Sequence, residues 1–239
     1  MSAARRPLSP PVVRRSGGGV RPSGPVEDYL KAIYAIELAG GAAATNDIAQ
    51  RLAIAPASVT GMVRRMAKQG LLAYERYRGV RLTAAGRRAA LRTLRRHRVI
   101  EAYLVKALGF AWDSVHEEAE RLEHSASDVL IDRMAAAIGE PRTDPHGAPI
   151  PTRDGTIDER RLRTLADGQA GDRVRVVRVG DEDAELLRYI GSLGLRPDAS
   201  VTILERAPFD GPITLSVGDA TCQVGSSLAG RVMVDRIAG

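Results

Sequence analysis

The spacing of apolar and polar residues predicts three short helices near the N-terminus. The first, VEDYLKAIYAIELAGG, begins at Pro25 and ends at Gly40, because its apolar residues return every three or four positions. The second, TNDIAQRLAI, begins at Thr45 or Asn46, either of which is a suitable cap. The third, SVTGMVRRMAKQG, has Ser58 as its cap and a glycine at its end.

A predicted hairpin follows the third helix. The segment LLAYERYRGVRLT alternates between apolar and polar positions and turns at Arg78-Gly79. This order is typical of a winged helix-turn-helix, whose recognition helix enters the major groove of DNA. Each arginine alone is ordinary for a solvated surface, and it is their placement together that predicts DNA contact. The predicted DNA-contacting residues are Ser58, Thr60, Arg64, Arg65, Arg76, Arg78 and Arg81.

Three further helices are predicted after the wing. A long one starts at Thr83, a second has Asp113 or Ser114 as its cap, and the third is SASDVLIDRMAAAIG. The third helix carries an apolar stripe of Val129, Leu130, Ile131, Met134 and Ala135. Such stripes after a winged helix favour dimerisation, so we expect a homodimer through residues 99–138 and a palindromic double-stranded DNA operator.

The last third of the chain changes to strand-like alternation. Residues 141–167 are rich in proline and glycine and predict a linker. Beyond them VRVVRVG, VTILERA, ITLSVG, TCQVG and VMVDRIAG predict short strands, interrupted by one helical piece, AELLRYIGSLGL. The pattern predicts a small β-barrel, and the fold class is mainly α with a small β portion.

Charge is unevenly distributed along the chain, whose net charge is +6. Residues 25–96 contain 13 Lys/Arg and five Asp/Glu, whereas residues 97–140 contain four and nine. A basic module suited to an anionic partner therefore precedes an acidic one. The composition of residues 1–24 predicts a disordered tail. This tail is either a plain extension or a basic arm that contacts DNA through Arg14, Arg15 and Arg21.

Cysteine usage and hydropathy point to the cytoplasm. The single cysteine, Cys222, excludes an internal disulfide framework, and we expect it to be a small buried residue of the β domain. No apolar run approaches the length of a membrane span, so we expect a soluble intracellular protein without membrane contact. Met62 and Met66 are expected in the core, and His146 is expected to be structural or exposed.

Metal chemistry is suggested by AWDSVHEEAERLEHS. On a helix, His116, Glu120, Glu123 and His124 fall on one stripe, since residues three and four apart are neighbours. On the preceding long helix, His97 and Glu101 are one turn apart. The alternative is a solvated helix with ordinary surface ion pairs.

These segments resemble the diphtheria toxin repressor and manganese transport regulator family of metal-dependent repressors. The matching stretches are VEDYLKAIY, ASVTGMVRRMAKQGLL, RYRGVRLT, VHEEAERLEH and DPHGAPIP, over roughly residues 26–239. The resemblance implies a C-terminal domain similar to the SH3-like or FeoA-like domain of long family members. The predicted domains are a disordered basic tail (1–24), a winged helix-turn-helix (25–96), a helical metal-binding and dimerisation domain (97–140), a linker (141–167) and the SH3-like domain (168–239).

The resemblance implies two sets of metal ligands. The primary set is Asp28, Glu120, Glu123 and His124, and the ancillary set is His97, Glu101 and His116. Weak additional candidates, from a loop that aligns poorly, are Asp181, Glu182, Asp183 and Glu185. Iron-responsive members carry methionine and cysteine where this chain has Asp28 and Glu120, so the carboxylates favour Mn²⁺, with Fe²⁺ as the alternative. Lys31 replaces a glutamate of short manganese regulators, which argues against a binuclear site using that position.

The sequence also suggests two other function classes. His116-Glu117 looks like the start of a zinc-protease HExxH motif, but the fourth residue after His116 is Glu120 and not histidine. The stronger alternative is a winged-helix dimer without metal control. We therefore predict a metal-activated repressor of metal-uptake genes and no enzymatic activity.

Overall fold

A computed structural model describes residues 21–75, 79–180 and 183–237. Helices dominate the first part of this range and strands the last. The elements in chain order are α1 (Gly24–Ala39), α2 (Thr45–Arg51), α3 (Pro56–Lys68), β1 (Leu72–Glu75), β2 (Gly79–Leu82), α4 (Ala84–Leu108), α5 (Val115–Glu123), α6 (Asp128–Ala137), β3 (Arg163–Thr164), β4 (Arg173–Val179), α7 (Ala184–Ser192), β5 (Ser200–Arg206), β6 (Ile213–Val217), β7 (Ala220–Val224), α8 (Ser226–Ala229) and β8 (Val232–Arg236).

The predicted helix-turn-helix and wing are confirmed. Helices α1, α2 and α3 enclose one apolar core with β1 and β2, which pair as an antiparallel hairpin. Met66 is fully buried in this core, and Met62 packs partly buried against it. Gly79 holds the wing close to the helices, since a Cβ at this position would lie 2.2 Å from the carbonyl oxygen of Ala43.

The predicted helix ends are partly wrong. Helix α1 ends at Gly40, which adopts a left-handed conformation as expected. However, α2 is preceded by Ala44 instead of starting after a Thr45 or Asn46 cap. Helix α3 starts at Pro56 and not after Ser58, because proline at the first helical position has a preset φ and needs no partner for an N–H.

Helix α4 belongs to two cores. Its first half supplies Ala90 and Leu91 to the DNA-binding core, and its second half supplies Ile100 to a core shared with α5 and α6. The predicted start is confirmed, since the Thr83 side chain accepts a hydrogen bond from Gly86 N. At 25 residues the helix is about 37 Å long at 1.5 Å per residue, so it links the winged helix to the acidic helical region.

The apolar stripe of α6 divides into a buried and an exposed part. Ile131 and Ala135 are buried in the chain's own core, and Met134 packs half-buried against it. Val129 and Leu130 remain 61% and 51% exposed. The exposed pair is available to a second copy of the chain.

The predicted fold class, mainly α with a small C-terminal β domain, is confirmed, but the strands of that domain form an open sheet within the described residues and not the predicted small β-barrel. Its strands are antiparallel neighbours in the order β3-β8-β4-β5-β6-β7. The edge strands β3 and β7 do not pair with each other within the described residues, and β3 is only two residues long. The core is covered instead by α7 and α8, through Leu187, Ile190 and Ala229. Cys222 is half-buried against this core instead of fully buried.

The segment between α6 and β3 contains a turn, 144–148, that packs against the sheet. Val179 N donates to the carbonyl of His146, and a Cβ on Gly147 would lie 2.0 Å from the Val177 carbonyl oxygen. His146 is fully buried, in keeping with a structural role. None of the helices in the described ranges combines the length and apolar character of a membrane span.

Candidate metal centre

Four ligand-type side chains from two helices meet next to the first helix. Asp28 comes from α1, Glu120 and Glu123 come from α5, and His124 is the residue that caps α5. One ligand atom from each lies within 4.8 Å of the others. His124 Nε2 is 2.9 Å from Asp28 Oδ1 and 3.4 Å from Glu123 Oε1. The primary set is thus brought together across more than 90 residues of chain.

The imidazole of His124 is oriented by a buried carboxylate. His124 Nδ1 lies 2.8 Å from Oε2 of Glu27, which is 1% exposed. Because Nδ1 is bonded to Glu27, Nε2 is the nitrogen that faces Asp28 and Glu123. Carboxylate-held histidines of this kind are typical metal ligands.

Arginines keep Glu27 ionised. Burial alone would raise the pKa of Glu27, but hydrogen bonds from Arg21 and His124 and the charge of Arg96 outweigh it and lower that pKa. Arg21 also donates to the backbone carbonyls of Glu123 and Ala126. Arg21, which one of the two alternatives for the tail placed in a DNA-contacting arm, is therefore held against α1 and the end of α5.

Lys31 places an ammonium between two of the four ligands. Its Nζ is 2.6 Å from Oε1 of Glu120 and 2.6 Å from Oε1 of Glu123, and the side chain is 16% exposed. Burial alone would lower the pKa of Lys31, but the two carboxylates outweigh it and raise that pKa. Burial likewise opposes the charge of Glu120, yet Lys31 lowers its pKa. Asp28 differs, because burial raises its pKa despite His124 and Lys31.

The second set lies directly beside the first. His97 Nε2 is 3.0 Å from Glu101 Oε1 and 3.1 Å from His116 Nδ1, and His116 Nδ1 is 3.3 Å from the same Glu101 oxygen. His97 Nδ1 is 2.6 Å from Glu123 Oε2, which joins the two sets. Burial disfavours the charge of His97, but hydrogen bonds to Glu101 and Glu123 raise its pKa to about 10. Burial would raise the pKa of Glu101, but hydrogen bonds with His116 and His97 lower it.

The residues of the two sets fit a divalent cation. Asp28 Oδ1 and Glu123 Oε1 are buried carboxylate oxygens that face His124 and Lys31, and Glu101 Oε2 is a buried carboxylate oxygen that accepts no hydrogen bond from the described residues. Leaving such an oxygen buried without a hydrogen bond costs about 1–3 kcal/mol, and a cation would remove that cost. A cleft of about 780 Å³ opens onto Asp28 and His116 and gives an ion access.

The weak additional ligand candidates, Asp183 and Glu185, are not part of these two sets. Asp183 caps α7, with its carboxylate accepting from Glu185 N and Leu186 N. Glu185 is exposed, and no metal-ligand group found in the described ranges includes either residue. Asp181 and Glu182 lie outside the described residues.

The predicted DNA-binding side chains lie on one helix and the wing. Those on α3 are all exposed, namely Ser58, Thr60, Arg64 and Arg65. Arg81 is exposed on β2 and forms an ion pair with Glu75 at 2.6 Å. Arg76 and Arg78, and the tail residues Arg14 and Arg15, lie outside the described residues.

Sequence reasoning missed several residues that the structure makes prominent. Glu27 lies three residues before Leu30 and seven before Tyr34, so its position on the buried stripe of α1 was the available signal. Arg96, 3% exposed, pairs with Glu27, and nothing in the local sequence distinguishes it from neighbouring arginines. Asp144 and His146 form a third group of ligand-type residues with Glu101.

Three family models match consecutive parts of the chain. The iron-dependent repressor N-terminal DNA-binding domain matches residues 23–80, and the iron-dependent repressor metal-binding and dimerisation domain matches residues 83–152. The FeoA domain matches residues 163–236.

Curated relatives and solved structures agree with these models. The iron-dependent repressor IdeR of Mycobacterium leprae is 31% identical over 88% of this chain and 96% of its own length. The HTH-type transcriptional regulator MntR of Geobacillus kaustophilus is 34% identical over 62% of this chain and 94% of its own length. A solved manganese-dependent transcriptional repressor in complex with manganese is 38% identical with a TM-score of 0.81, covering 89% of this chain and all of that one. Two of these relatives are described as repressors and one as a transcriptional regulator, in keeping with the expectation that the chain is not an enzyme.

Proposed function

The chain belongs to the diphtheria toxin repressor and manganese transport regulator family of metal-dependent transcriptional repressors, and from this premise we propose that Mn²⁺ is the metal that activates it. The observation that carries the proposal is the donor set of the primary site, in which Asp28 and Glu120 offer carboxylate oxygens beside Glu123 and His124. Oxygen-rich sites with one imidazole suit Mn²⁺, whereas thioether and thiolate ligands suit softer metals.

The primary set lies where a metal controls the position of the DNA-binding domain. Asp28 belongs to α1, which packs in the winged-helix core, whereas the other three ligands belong to α5 and its cap. When bound there, Mn²⁺ supplies a cross-link between the two domains. A metal that bound one arrangement of the domains more tightly than others would stabilise the DNA-competent state, and by reciprocity DNA would tighten metal binding.

The ammonium of Lys31 lies against two of the proposed metal ligands. It contacts Glu120 and Glu123, both of which would hold the metal. The single ammonium balances one of these two negative charges and holds both carboxylates of α5 facing α1. A divalent cation bound by Glu123 would have to displace Lys31 from it, so Lys31 would lower the metal affinity and raise the concentration at which the protein responds.

DNA binding is assigned to α3 and the wing. The α3 side chains Ser58, Thr60, Arg64 and Arg65 face solvent, and Arg81 extends the basic surface onto β2. A homodimer formed through the matched dimerisation domain presents two such helices. We propose a palindromic operator on this basis, and repression of metal-uptake genes in the cytoplasm when metal is plentiful.

Fe²⁺ is the second candidate metal. The IdeR relatives cover nearly the whole chain at 31–32% identity, which the shorter MntR relatives do not. Carboxylate and imidazole donors also accept Fe²⁺, so selectivity then depends on geometry and availability.

Operator binding with and without metal tests the proposal. DNA fragments are selected from a random-sequence library with the full-length protein and Mn²⁺, and affinity for the selected fragment is measured with Mn²⁺ and with chelator. We expect affinity to fall at least tenfold with chelator and the selected sequence to be palindromic. Equal affinity in both conditions would instead support a metal-independent winged-helix dimer.

A further inference from the structure

Part of the predicted linker, residues 149–159, lies along α4, and we call this segment the strap. Arg98 Nη1 donates a hydrogen bond to the carbonyl oxygen of Pro149 at 2.5 Å, and Arg95 Nη1 donates to that of Pro151 at 3.0 Å. Both arginines belong to the helix that joins the winged helix to the acidic helical region. The strap therefore begins on the central part of α4.

The other end of the strap reaches the winged helix. Ile157 packs, half-buried, against the core of that domain. The carboxylate of Glu159 accepts a hydrogen bond from the hydroxyl of Tyr34 on α1 and forms an ion pair with Arg87 in the first turn of α4. Arg98 and Arg87 are 11 residues apart, so the strap follows α4 for about 16 Å at 1.5 Å per residue.

Tyr34 is the buried part of this attachment. It is 3% exposed, whereas the side chains of Glu159 and Arg87 are 32% and 40% exposed. Burial and the hydrogen bond to Glu159 raise the pKa of Tyr34, so its hydroxyl stays protonated and donates. Because water screens the ion pair, the hydrogen bond from Tyr34 and the apolar contact of Ile157 provide most of the attachment.

The strap continues directly into the C-terminal sheet. Three residues separate Glu159 from β3, which pairs with β8, and Arg160 Nη2 lies 3.2 Å from Asp235 Oδ2 on β8. With Glu159 attached, the four residue steps to Arg163 span at most about 14 Å. Measured from Pro151, the 12 residue steps to Arg163 would span at most about 42 Å. Losing the Glu159 attachment therefore lengthens the tether between α4 and the sheet about threefold.

The C-terminal domain is fixed to the helical region at a separate point. Trp112, in the connection between α4 and α5, lies in the core of the C-terminal domain. Arg196 stacks on its ring at 4.6 Å from the centroid, and a Cβ on Gly191 of α7 would lie 3.0 Å from the ring. The domain is thus held against the helical region, and the strap extends from it to the winged helix.

We propose that the strap is a positioning device, with Glu159 as its anchor, that holds the winged helix where Asp28 of α1 faces the ligands of α5. The strap and the metal stabilise the same arrangement of domains, so each strengthens the binding of the other. Glu159 acts on the metal through α1 and is not itself a ligand. The inference rests on the proposed function only in taking the primary set as the place where metal binds.

Trypsin cleavage measures the attachment of the strap without metal. Arg160 and Arg161 directly follow Glu159 and are exposed, so cleavage after them reports how often this segment leaves the winged helix. In chelator-treated full-length protein, Tyr34→Phe should be cleaved there about fivefold faster than the wild type, because it loses one hydrogen bond without changing the cleaved sequence. Tyr29→Phe, on the same helix and also buried, is the matched control and should be cleaved at the wild-type rate.

Calorimetric titration with Mn²⁺ measures the effect on the metal. Glu159→Ala should bind Mn²⁺ at the primary set about fivefold more weakly than the wild type, as expected for one lost hydrogen bond. Asp158→Ala, at the neighbouring exposed position, should bind like the wild type because Asp158 pairs with Arg160. The double variant Arg87→Glu, Glu159→Arg reverses the ion pair and should restore the affinity to within about twofold of the wild type. A general loss of folding stability would not be restored by this exchange.

Two results would overturn the inference. A wild-type cleavage rate of Tyr34→Phe would show that the strap is not held by this contact. Wild-type Mn²⁺ affinity of Glu159→Ala would show that the strap does not support the metal site. Failure of the proposed function is distinguishable, because it would be seen as operator binding unchanged by chelator, whereas the cleavage comparison needs neither metal nor operator.

Discussion

Replacing Lys31 with methionine should raise the affinity of the protein for Mn²⁺. Methionine has a similar length and flexibility but no charge, so Lys31→Met removes the ammonium that lies 2.6 Å from both Glu120 and Glu123. In the wild type, metal binding breaks at least the contact to Glu123, because that carboxylate is needed as a ligand. In the variant this contact no longer exists, and the entering ion meets two carboxylates without a competing cation.

The size of the effect follows from burial. The Glu120 side chain is 39% exposed, so water can replace much of its interaction with the Lys31 ammonium. The Glu123 side chain is fully buried, so water cannot replace its contact with Lys31. Counting only the buried contact, a hydrogen bond to a charged group contributes about 1.5–3 kcal/mol. Since about 1.4 kcal/mol corresponds to tenfold in a binding constant, Mn²⁺ should bind roughly 10- to 150-fold more tightly.

Isothermal titration of chelator-stripped protein with Mn²⁺ measures this change. Lys31→Arg preserves the positive charge and should remain near the wild type. Lys106→Met, at an exposed position on α4, controls for loss of charge elsewhere. Wild-type or weaker Mn²⁺ binding by a folded Lys31→Met protein would refute the view that the ammonium competes with metal.

Four further outcomes are expected. Asp28→Ala or Glu123→Ala should abolish Mn²⁺-stimulated operator binding, measured by fluorescence anisotropy, while the dimer persists in analytical ultracentrifugation. Arg64→Ala should weaken operator binding by about 1–3 kcal/mol, with Mn²⁺ affinity unchanged in calorimetry. Because the pKa of His97 is raised to about 10, metal binding to this residue should displace its proton. The affinity for Mn²⁺ at the ancillary set should therefore rise about tenfold per pH unit between pH 6 and 8. Calorimetry in buffers of different ionisation enthalpy should detect the released proton. Leu130→Glu, on the exposed part of α6, should dissociate the dimer in ultracentrifugation.

Each of these expectations has a contrary result. Normal metal-stimulated binding by both Asp28→Ala and Glu123→Ala would remove the primary ligand assignment. Loss of Mn²⁺ affinity in Arg64→Ala would mean that α3 acts through the metal sites and not on DNA. An Mn²⁺ affinity independent of pH would show that His97 is already neutral or that it is not a metal ligand. An intact dimer of the Leu130→Glu variant would show that the dimer interface does not include the exposed part of α6.

Local features of the fold were predictable because their causes are local. Gly40 ends α1 because glycine readily adopts the left-handed conformation needed there, and Thr83 caps α4 because its side chain accepts a hydrogen bond from a backbone N–H of the first turn. The prediction that Ser58 caps α3 was wrong because Pro56, two residues earlier, is also a residue type that favours the start of a helix. The open edge of the C-terminal sheet was not predictable, because strand alternation is the same in a barrel and in a sheet covered by helices.

Only part of the candidate metal site could be predicted from the sequence alone. Helical spacing places Glu120, Glu123 and His124 on one face, but only the family resemblance pointed to Asp28, which lies 92 residues before Glu120 in the chain. The contacts of Lys31 with α5 and of Glu27 with His124 depend on how α1 packs, and residue type gives no sign of them. His146 was expected to be structural or exposed, and its alignment with Glu101 required the turn 144–148 to be seen in place.

Metal preference in operator binding tests the central claim most directly. Activation of the wild type by Mn²⁺ and by Fe²⁺ is compared under anaerobic conditions, beside the double variant Asp28→Met, Glu120→Cys, whose sulfur ligands suit softer metals. The account predicts that the wild type is activated at a lower free concentration of Mn²⁺ than of Fe²⁺, and that the double variant reverses this order. A wild type that responds to Fe²⁺ at the lower concentration, or an order unchanged by the substitutions, would contradict it.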